Sequence, residues 1–169
     1  MKTCAESLIS VNERLNNCDE TGTEFRSKFF NELAAAELYE ILKSRAEIFV
    51  VEQKCIYQDL DDKDYQSLHV FYTHRGRVTA YLRAFWKDER TVQMGRVLTL
   101  QHGTGLGDRL LRAGIEEIKQ KMAPEKLYIE AQCYAKGFYE REGFRICSEE
   151  FLEDGIPHVG MMKPLRYRS

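Results

Sequence analysis

A chain of 169 residues, 43% hydrophobic and 31% charged, has the make-up of one folded domain and excludes wholesale disorder. Folding at this length buries about 70% of the unfolded surface, so a core needs neither disulfides nor a metal to hold it. The formal net charge of −2 leaves no broad basic field, which argues against a nucleic-acid partner.

Residues 1 to 22 are polar and lack clear periodicity, so they read as a loose arm, with residues 23 to 169 as a single domain. The opening M-K-T-C-A-E-S-L-I-S-V-N-E-R has no apolar signal region, because Glu6, Asn12 and Glu13 interrupt it. The longest apolar run, Ile48 to Val51, falls far short of the roughly 20 residues that span a bilayer. A cytoplasmic protein with no membrane partner is therefore expected. The cysteines Cys4, Cys18, Cys55, Cys133 and Cys147 are odd in number and form no C-x-x-C pair. They read as reduced thiols, and no metal site is expected.

E-F-R-S-K-F-F, residues 24 to 30, reads as a first strand, with Asn31 as the N-cap of the helix that follows. Leu38, Ile41, Leu42, Arg45 and Phe49 share one face of that helix. Arg45 stands out there, since a buried guanidinium needs partners; Glu52, Asp61 and Asp64 are within reach in sequence. An irregular acidic stretch, Q-K-C-I-Y-Q-D-L-D-D-K-D, comes next. S-L-H-V-F-Y-T-H, the turn Arg75-Gly76 and R-V-T-A-Y-L-R-A-F-W then predict an antiparallel hairpin.

T-V-Q-M-G-R-V-L-T-L predicts a third central strand. It runs into His102-Gly103-Thr104-Gly105-Leu106-Gly107 and a helix whose inner face carries Leu111, Gly114, Ile115, Ile118 and Met122. Alternating glycines let a backbone approach a ligand closely, and the first turn of a helix has N–H groups without partners, so the unit reads as a phosphate cradle. It is neither a Walker A loop nor the dinucleotide G-x-G-x-x-G. K-L-Y-I-E-A is nearly continuous in apolar character and predicts a buried strand parallel to the previous one. A short helix over Tyr134 to Arg141 ends at Gly143, and F-R-I-C and I-P-H-V-G-M-M-K predict two last strands. The order β-α-loop-β-β-β-α-β-α-β-β is that of an α/β fold with a mixed sheet. Tyr139, in F-Y-E-R-E-G-F, lies just beyond the parallel pair, where a phenol can protonate a leaving group beside the cradle.

Together the glycine loop and the segment Gln132-Cys133-Tyr134-Ala135-Lys136-Gly137-Phe138-Tyr139, followed by Gly143-Phe144, resemble the GNAT acyl-CoA N-acyltransferases. The resemblance spans about residues 24 to 164. His102 stands where that family usually has Arg or Gln, and Gln132 where it has Asn. R-A-E-I-F-V-V-E-Q-K-C-I-Y-Q-D-L-D-D-K-D and E-D-G-I-P-H-V-G-M resemble the ElaA-type branch. The resemblance implies a mixed, mostly antiparallel central sheet with a splayed parallel strand pair, flanked by helices. It implies transfer of an acetyl group from acetyl-CoA to a primary amine of a small molecule or peptide, and it allows a homodimer. It implies that His102, Gly103, Thr104, Gly105, Leu106, Gly107 and Asp108 hold the pyrophosphate, that Gln132 and Tyr139 touch the cosubstrate, and that a backbone N–H among Val97, Leu98 and Thr99 meets the thioester oxygen. Tyr139 would protonate the departing thiolate.

The base is not given by the resemblance, because Thr91 occupies the place of the glutamate that some members use. Candidates are Glu52, His69, Glu130 and His158; of these His158 and Glu52 join Tyr139 as the catalytic expectation. Glu130 can equally pair with Arg83 or Arg96, and the histidines can be structural. Either Glu52, Asp61 or Asp64 fixes the loop by pairing with Arg45, or Glu52, Asp59, Asp61, Asp62 and Asp64 form an acidic pocket for a cationic amine. A non-catalytic CoA- or acyl-CoA-binding regulatory module is the competing reading, and the Arg45-to-acidic-loop segment also resembles acyl-homoserine-lactone synthases.

Overall fold

The computed structural model describes residues 22–167. The polar arm, apart from Gly22, lies outside the described residues, as do Cys4 and Cys18; Cys55, Cys133 and Cys147 are free thiols. The elements in chain order are β1 (Thr23–Phe29), α1 (Ala35–Arg45), β2 (Leu68–His74), β3 (Arg77–Trp86), β4 (Thr91–Thr99), α2 (Leu106–Lys121), β5 (Lys126–Gln132), α3 (Lys136–Arg141), β6 (Arg145–Glu153) and β7 (Ile156–Pro164). The strands form one seven-stranded sheet in the order β1-β2-β3-β4-β5-β7-β6. Only β4 and β5 run parallel; the other neighbours are antiparallel. The mixed, mostly antiparallel sheet with a parallel pair and flanking helices is as expected.

Local chemistry moves the first helix. Asn31 does not cap it but sits in a 3₁₀ turn, Phe30–Glu32. The helix starts at Ala35 because the Glu37 carboxylate reaches back to the Ala34 N–H at 2.9 Å, held in place by Lys28. Beyond Arg45 the backbone loosens into a π-helical segment, Ala46–Glu52, which closes with the Gln53 N–H on the Ile48 carbonyl. Widened turns of this kind frequently occur at functional sites.

Two apolar layers cover the sheet. Under α2 lie Val70 and Leu82 of the hairpin, with Val92, Met94, Leu127 and Ile129. Gly114 lets α2 sit close, since a Cβ there would come within 2.8 Å of Leu82. On the opposite face Ile41 of α1 and Ile48 of the π-helical segment cover Phe71, Val78, Tyr81 and Leu98. The strand β5 is not uniformly apolar as its sequence led us to expect. Leu127, Ile129 and Ala131 are buried while Tyr128, Glu130 and Gln132 alternate with them on a partly open face. Alternation arises because the layer under α1 draws only on β2, β3 and β4, leaving β5 one-sided.

A bulge in β4 shapes the centre of the sheet. Tyr81 opposes Leu98 but Arg83 opposes Gly95, so β4 carries one residue more than β3 over this interval. The surplus residue is Arg96, with φ +53°. Before the bulge Val92 and Met94 point under α2; after it Leu98 points under α1. The parallel pairing with β5 stops just before the bulge, at Met94 opposite Ile129.

Three arginines tie the irregular acidic stretch onto this bulge. Arg45, fully buried, donates from Nε to Asp59 at 2.9 Å and from Nη1 to Asp64 at 2.7 Å. Arg83 binds Asp61 through both terminal nitrogens at 2.6 Å and Asp64 at 3.0 Å. Arg96 donates from Nε to Asp59 at 2.7 Å. Burial would raise the Asp61 carboxyl, but hydrogen bonds and charge from Arg83, then the charge of Arg96, overcome it and hold it at about 2.

Removing one side of a buried ion pair costs about 3–5 kcal/mol, so Arg45→Met should lose that much stability in denaturant unfolding. The Asp61 contribution is complete above the roughly 3.9 of an unfolded aspartate and is lost as pH falls through about 2. The melting temperature should therefore fall between pH 4 and pH 2, and Asp61→Asn should flatten that slope while lowering the plateau above it.

Candidate active site

Past Met94 and Ile129 the parallel strands separate, and a cleft of about 700 Å³ opens between them. It draws residues from both faces of the sheet. Thr99, Gly107, Phe138 and Tyr139 line it on the α2 and α3 side; Gln93, Glu130, Gln132 and His158 line it from the other.

The glycine loop forms one rim. Gly103 and Gly105 both have φ +74°, and a Cβ on either would meet open space. Gly105 is the N-cap of α2, with ψ 2° and no side-chain cap. The first helical bond runs from the Arg109 N–H to the Gly105 carbonyl at 3.1 Å, so the preceding N–H groups of Leu106, Gly107 and Asp108 are free of intrahelical partners. Gly107 passes close to Phe138 and Thr99, which a Cβ would approach at 3.6 and 3.7 Å. Among the loop residues singled out by sequence, His102 and Gly107 line the cleft with Val97, Leu98 and Thr99 of β4. Leu106 instead anchors the core, the Thr104 hydroxyl faces the Gln101 carbonyl, and the Asp108 carboxylate lies 3.4 Å from Arg141.

Tyr139 is 7% exposed, packed edge-on against Phe138 and Phe144. Its hydroxyl makes no hydrogen bond among the described residues, and burial, with the Tyr134 phenol beside it, pushes its pKa up. The phenol is held protonated at neutral pH and can only donate to a nearby anion.

His158 comes from β7, opposite Gln132 on β5. Its Nδ1 lies 2.8 Å from the Ile156 carbonyl, which can only accept, so Nδ1 carries a proton and, in the neutral ring, Nε2 holds the lone pair. Nε2 lies 3.7 Å from the Glu153 carboxylate, and the ring stacks on Phe151. Glu52 is on the π-helical segment, half-exposed, with its carboxylate 3.5 Å from His102 Nε2. It does not reach Arg45, whose partners are Asp59 and Asp64. The Gln132 amide donates to Gln53 at 3.4 Å, tying the end of the π-helical segment to β5.

Several expectations are corrected. His69 is no base, because it is fully buried outside the cleft, with Nδ1 against the Tyr81 hydroxyl and Nε2 against the Asp64 carbonyl. Burial lowers its pKa and keeps the ring neutral. The acidic stretch is no open pocket for a cation: Asp59, Asp61 and Asp64 are matched by Arg45, Arg83 and Arg96. Glu130 pairs with neither Arg83 nor Arg96; its oxygens accept from Gln93 at 3.2 Å and Tyr128 at 3.3 Å. Thr91 lies at the closed end of the parallel pair, opposite Lys126, and the β4 side chain that faces Glu130 is Gln93. Gln93, Tyr128 and Glu153 were missed. For Gln93 and Tyr128 the signal was the polar alternation of β4 and β5, which only the open face explains; Glu153, at the end of β6, left none. Among the described residues no group of three His, Cys, Asp or Glu could hold a metal ion, and no helix is long and apolar enough to cross a membrane.

The acetyltransferase (GNAT) domain model matches residues 20–165. The chain belongs to the GNAT family. A UPF0039 protein of Schizosaccharomyces pombe is 39% identical over 142 residues, covering 82% of this chain and 95% of that one. The crystal structure of Escherichia coli ElaA superposes with a TM-score of 0.79 and 31% identity, covering 83% of this chain and 99% of that one. An acyl-CoA N-acyltransferase from Pseudomonas aeruginosa gives 0.78 and 35%, with the same coverage. Family membership makes this chain an acyltransferase that draws its acyl group from a CoA thioester.

The αL geometry of Gly105 makes the cradle testable. Valine strains that backbone and adds a branched side chain on the open side of the loop, so if this loop is the phosphate cradle Gly105→Val should weaken CoA binding at least about tenfold by calorimetry. Asparagine tolerates φ above zero, so Gly105→Asn should retain more of the affinity than the valine variant.

Proposed function

We propose that this protein transfers the acetyl group of acetyl-CoA directly to a primary amine of a small molecule or peptide, in the cytoplasm, with residues 23–169 as its catalytic domain. The observation that carries the reading is the two-sided cleft: a helix N-terminus behind a glycine loop on one side, an imidazole lone pair on the other. In this reading the pyrophosphate rests on the loop from His102 to Asp108, and the pantetheine arm runs along Val97, Leu98 and Thr99 into the splay. A backbone N–H of that segment faces the thioester oxygen as it becomes negative.

An alkylamine is protonated at neutral pH and must lose a proton before attack. His158 Nε2 takes that proton, directly or through a water, and Glu153 steadies the imidazolium so formed. The amine nitrogen bonds to the carbonyl carbon, the C–S bond breaks, the acylated nitrogen gives up its second proton to water, and the thiolate takes the Tyr139 proton. Exchange with solvent resets both groups. Glu52 faces the same cleft from the opposite rim and is the second candidate for the proton. A regulatory CoA-binding module would need the cradle but not an imidazole with a free lone pair across the splay.

Thiol release from acetyl-CoA with a panel of amines tests the activity. His158→Ala should lower turnover roughly 10²-fold or more with CoA affinity unchanged, and Glu52→Gln run beside it ranks the two candidates. Tyr139→Phe keeps the ring volume, so stability should hold while turnover falls about 10²-fold, because the hydroxyl acts only once charge reaches sulfur. Turnover within about twofold of wild type, where chemistry limits the rate, removes Tyr139 from the mechanism.

A further inference from the structure

Glu130 is the first β5 residue beyond the last parallel pair, so its side chain stands where the sheet begins to open. It points to the face that α1 leaves bare, with Gln93, Gln132 and His158. Its neighbours across the sheet are both glycines. On the β7 side it is paired with Gly160. On the β4 side Gly95 follows Met94, the partner of Ile129. A side chain at Gly95 would meet nothing within 4 Å, so the ground before the carboxylate is open. A side chain at Gly160 would come within 2.9 Å of the Tyr128 hydroxyl, so that glycine makes room for the phenol that donates to Glu130.

The charge accounting is uneven. Asp59, Asp61 and Asp64 each meet an arginine. Glu130, partly buried in the same cleft, has only the two neutral donors Gln93 and Tyr128 at 3.2 and 3.3 Å. No cation pairs with it among the described residues; Lys87 lies instead over the Tyr128 ring, 4.6 Å from its centroid. A half-buried carboxylate with long, neutral hydrogen bonds retains lone pairs for a charged donor, and charge-assisted bonds are the stronger kind.

Resting on the acetyltransferase reading, we infer that Glu130 is the docking carboxylate for the acceptor's ammonium group, which makes a cationic amine the substrate class. Gly95 forms the floor on which the amine arrives. His158 lies two residues from Gly160 on the same face of β7, diagonal to Glu130, so the docked ammonium sits within reach of the imidazole that removes its proton. Gln93 and Tyr128 hold the carboxylate toward the opening. The selection is for charge: an uncharged nucleophile gains nothing from this group.

The test compares wild type and Glu130→Gln in thiol release with butylamine, putrescine and phenethylamine, with CoA affinity measured by calorimetry. Glutamine keeps the shape and removes the charge. The expected result is a KM for the amines raised about tenfold or more, with CoA affinity within about twofold. Amine KM unchanged in a folded Glu130→Gln variant overturns the assignment, and so does a parallel loss of CoA affinity, which marks a structural role. Gly95→Val leaves the carboxylate in place but fills the space before it, and it should also raise the amine KM at least about tenfold; an unchanged KM there overturns the floor and the docking site together. Wild type that releases no thiol with any amine overturns the acetyltransferase reading itself, whereas an active wild type with an indifferent Glu130→Gln overturns only the role of Glu130.

Discussion

Three guanidinium groups facing three carboxylates hold the centre of this molecule. Arg45 reaches down from α1, Arg83 up from β3 and Arg96 out from β4, and all three converge on Asp59, Asp61 and Asp64. Burying one such charge unpaired would cost several kcal/mol, so the loop carrying the aspartates cannot lift away without stranding the arginines. Tyr57 donates its hydroxyl to the Asp59 carboxylate, and His69 Nε2 lies against the Asp64 backbone carbonyl. Arg96 is also the bulged residue of β4, so one side chain joins the loop to the point where the strand changes face.

The cleft is the consequence of that bulge. Parallel strands normally continue pairing as far as both are extended, and here pairing stops where β4 turns its residues over. The exposed interior of the sheet becomes a passage between two unlike surfaces. On the α2 side the chemistry is mostly backbone: a glycine loop, a helix N-terminus and the edge of β4. On the other side it is side chains on a bare sheet face, Glu130, Gln132 and His158, set around glycines. In the proposed reaction an acyl carrier and an acceptor approach one carbonyl carbon from these two opposite sides, the arrangement direct transfer requires.

These two sides differ in how legible they were. Backbone chemistry leaves a local trace, since only glycine serves readily at φ +74°, and Gly103 and Gly105 are near neighbours in sequence. The side chains of the other face leave none. Glu130 and Gln93 are far apart in the chain, and each reads by itself as an ordinary polar residue of a half-buried strand. His69 and His158 were indistinguishable until the fold buried one between Tyr81 and Asp64 and set the other in the lining of the cleft, its Nε2 facing Glu153. Arg45 signalled that partners must exist, because an apolar helix face cannot hold a lone charge, but only Asp64 of its two partners was among those anticipated.

By itself, then, the sequence determined what depends on periodicity and on glycine: the strands, the long helix after the loop, the parallel pair and the left-handed glycine turn, and its motifs carried the resemblance to the family. The start of α1 escaped it because Glu37, a side chain reaching back to Ala34, outweighed the better intrinsic cap at Asn31. Tertiary structure alone decided where the charges went. Whether a carboxylate is neutralised or left free depends on which arginines reach it across three strands and a loop, and no spacing along the chain encodes that distance. The bulge at Arg96 decided the rest, since one extra residue in β4 reverses which side chains face the cleft.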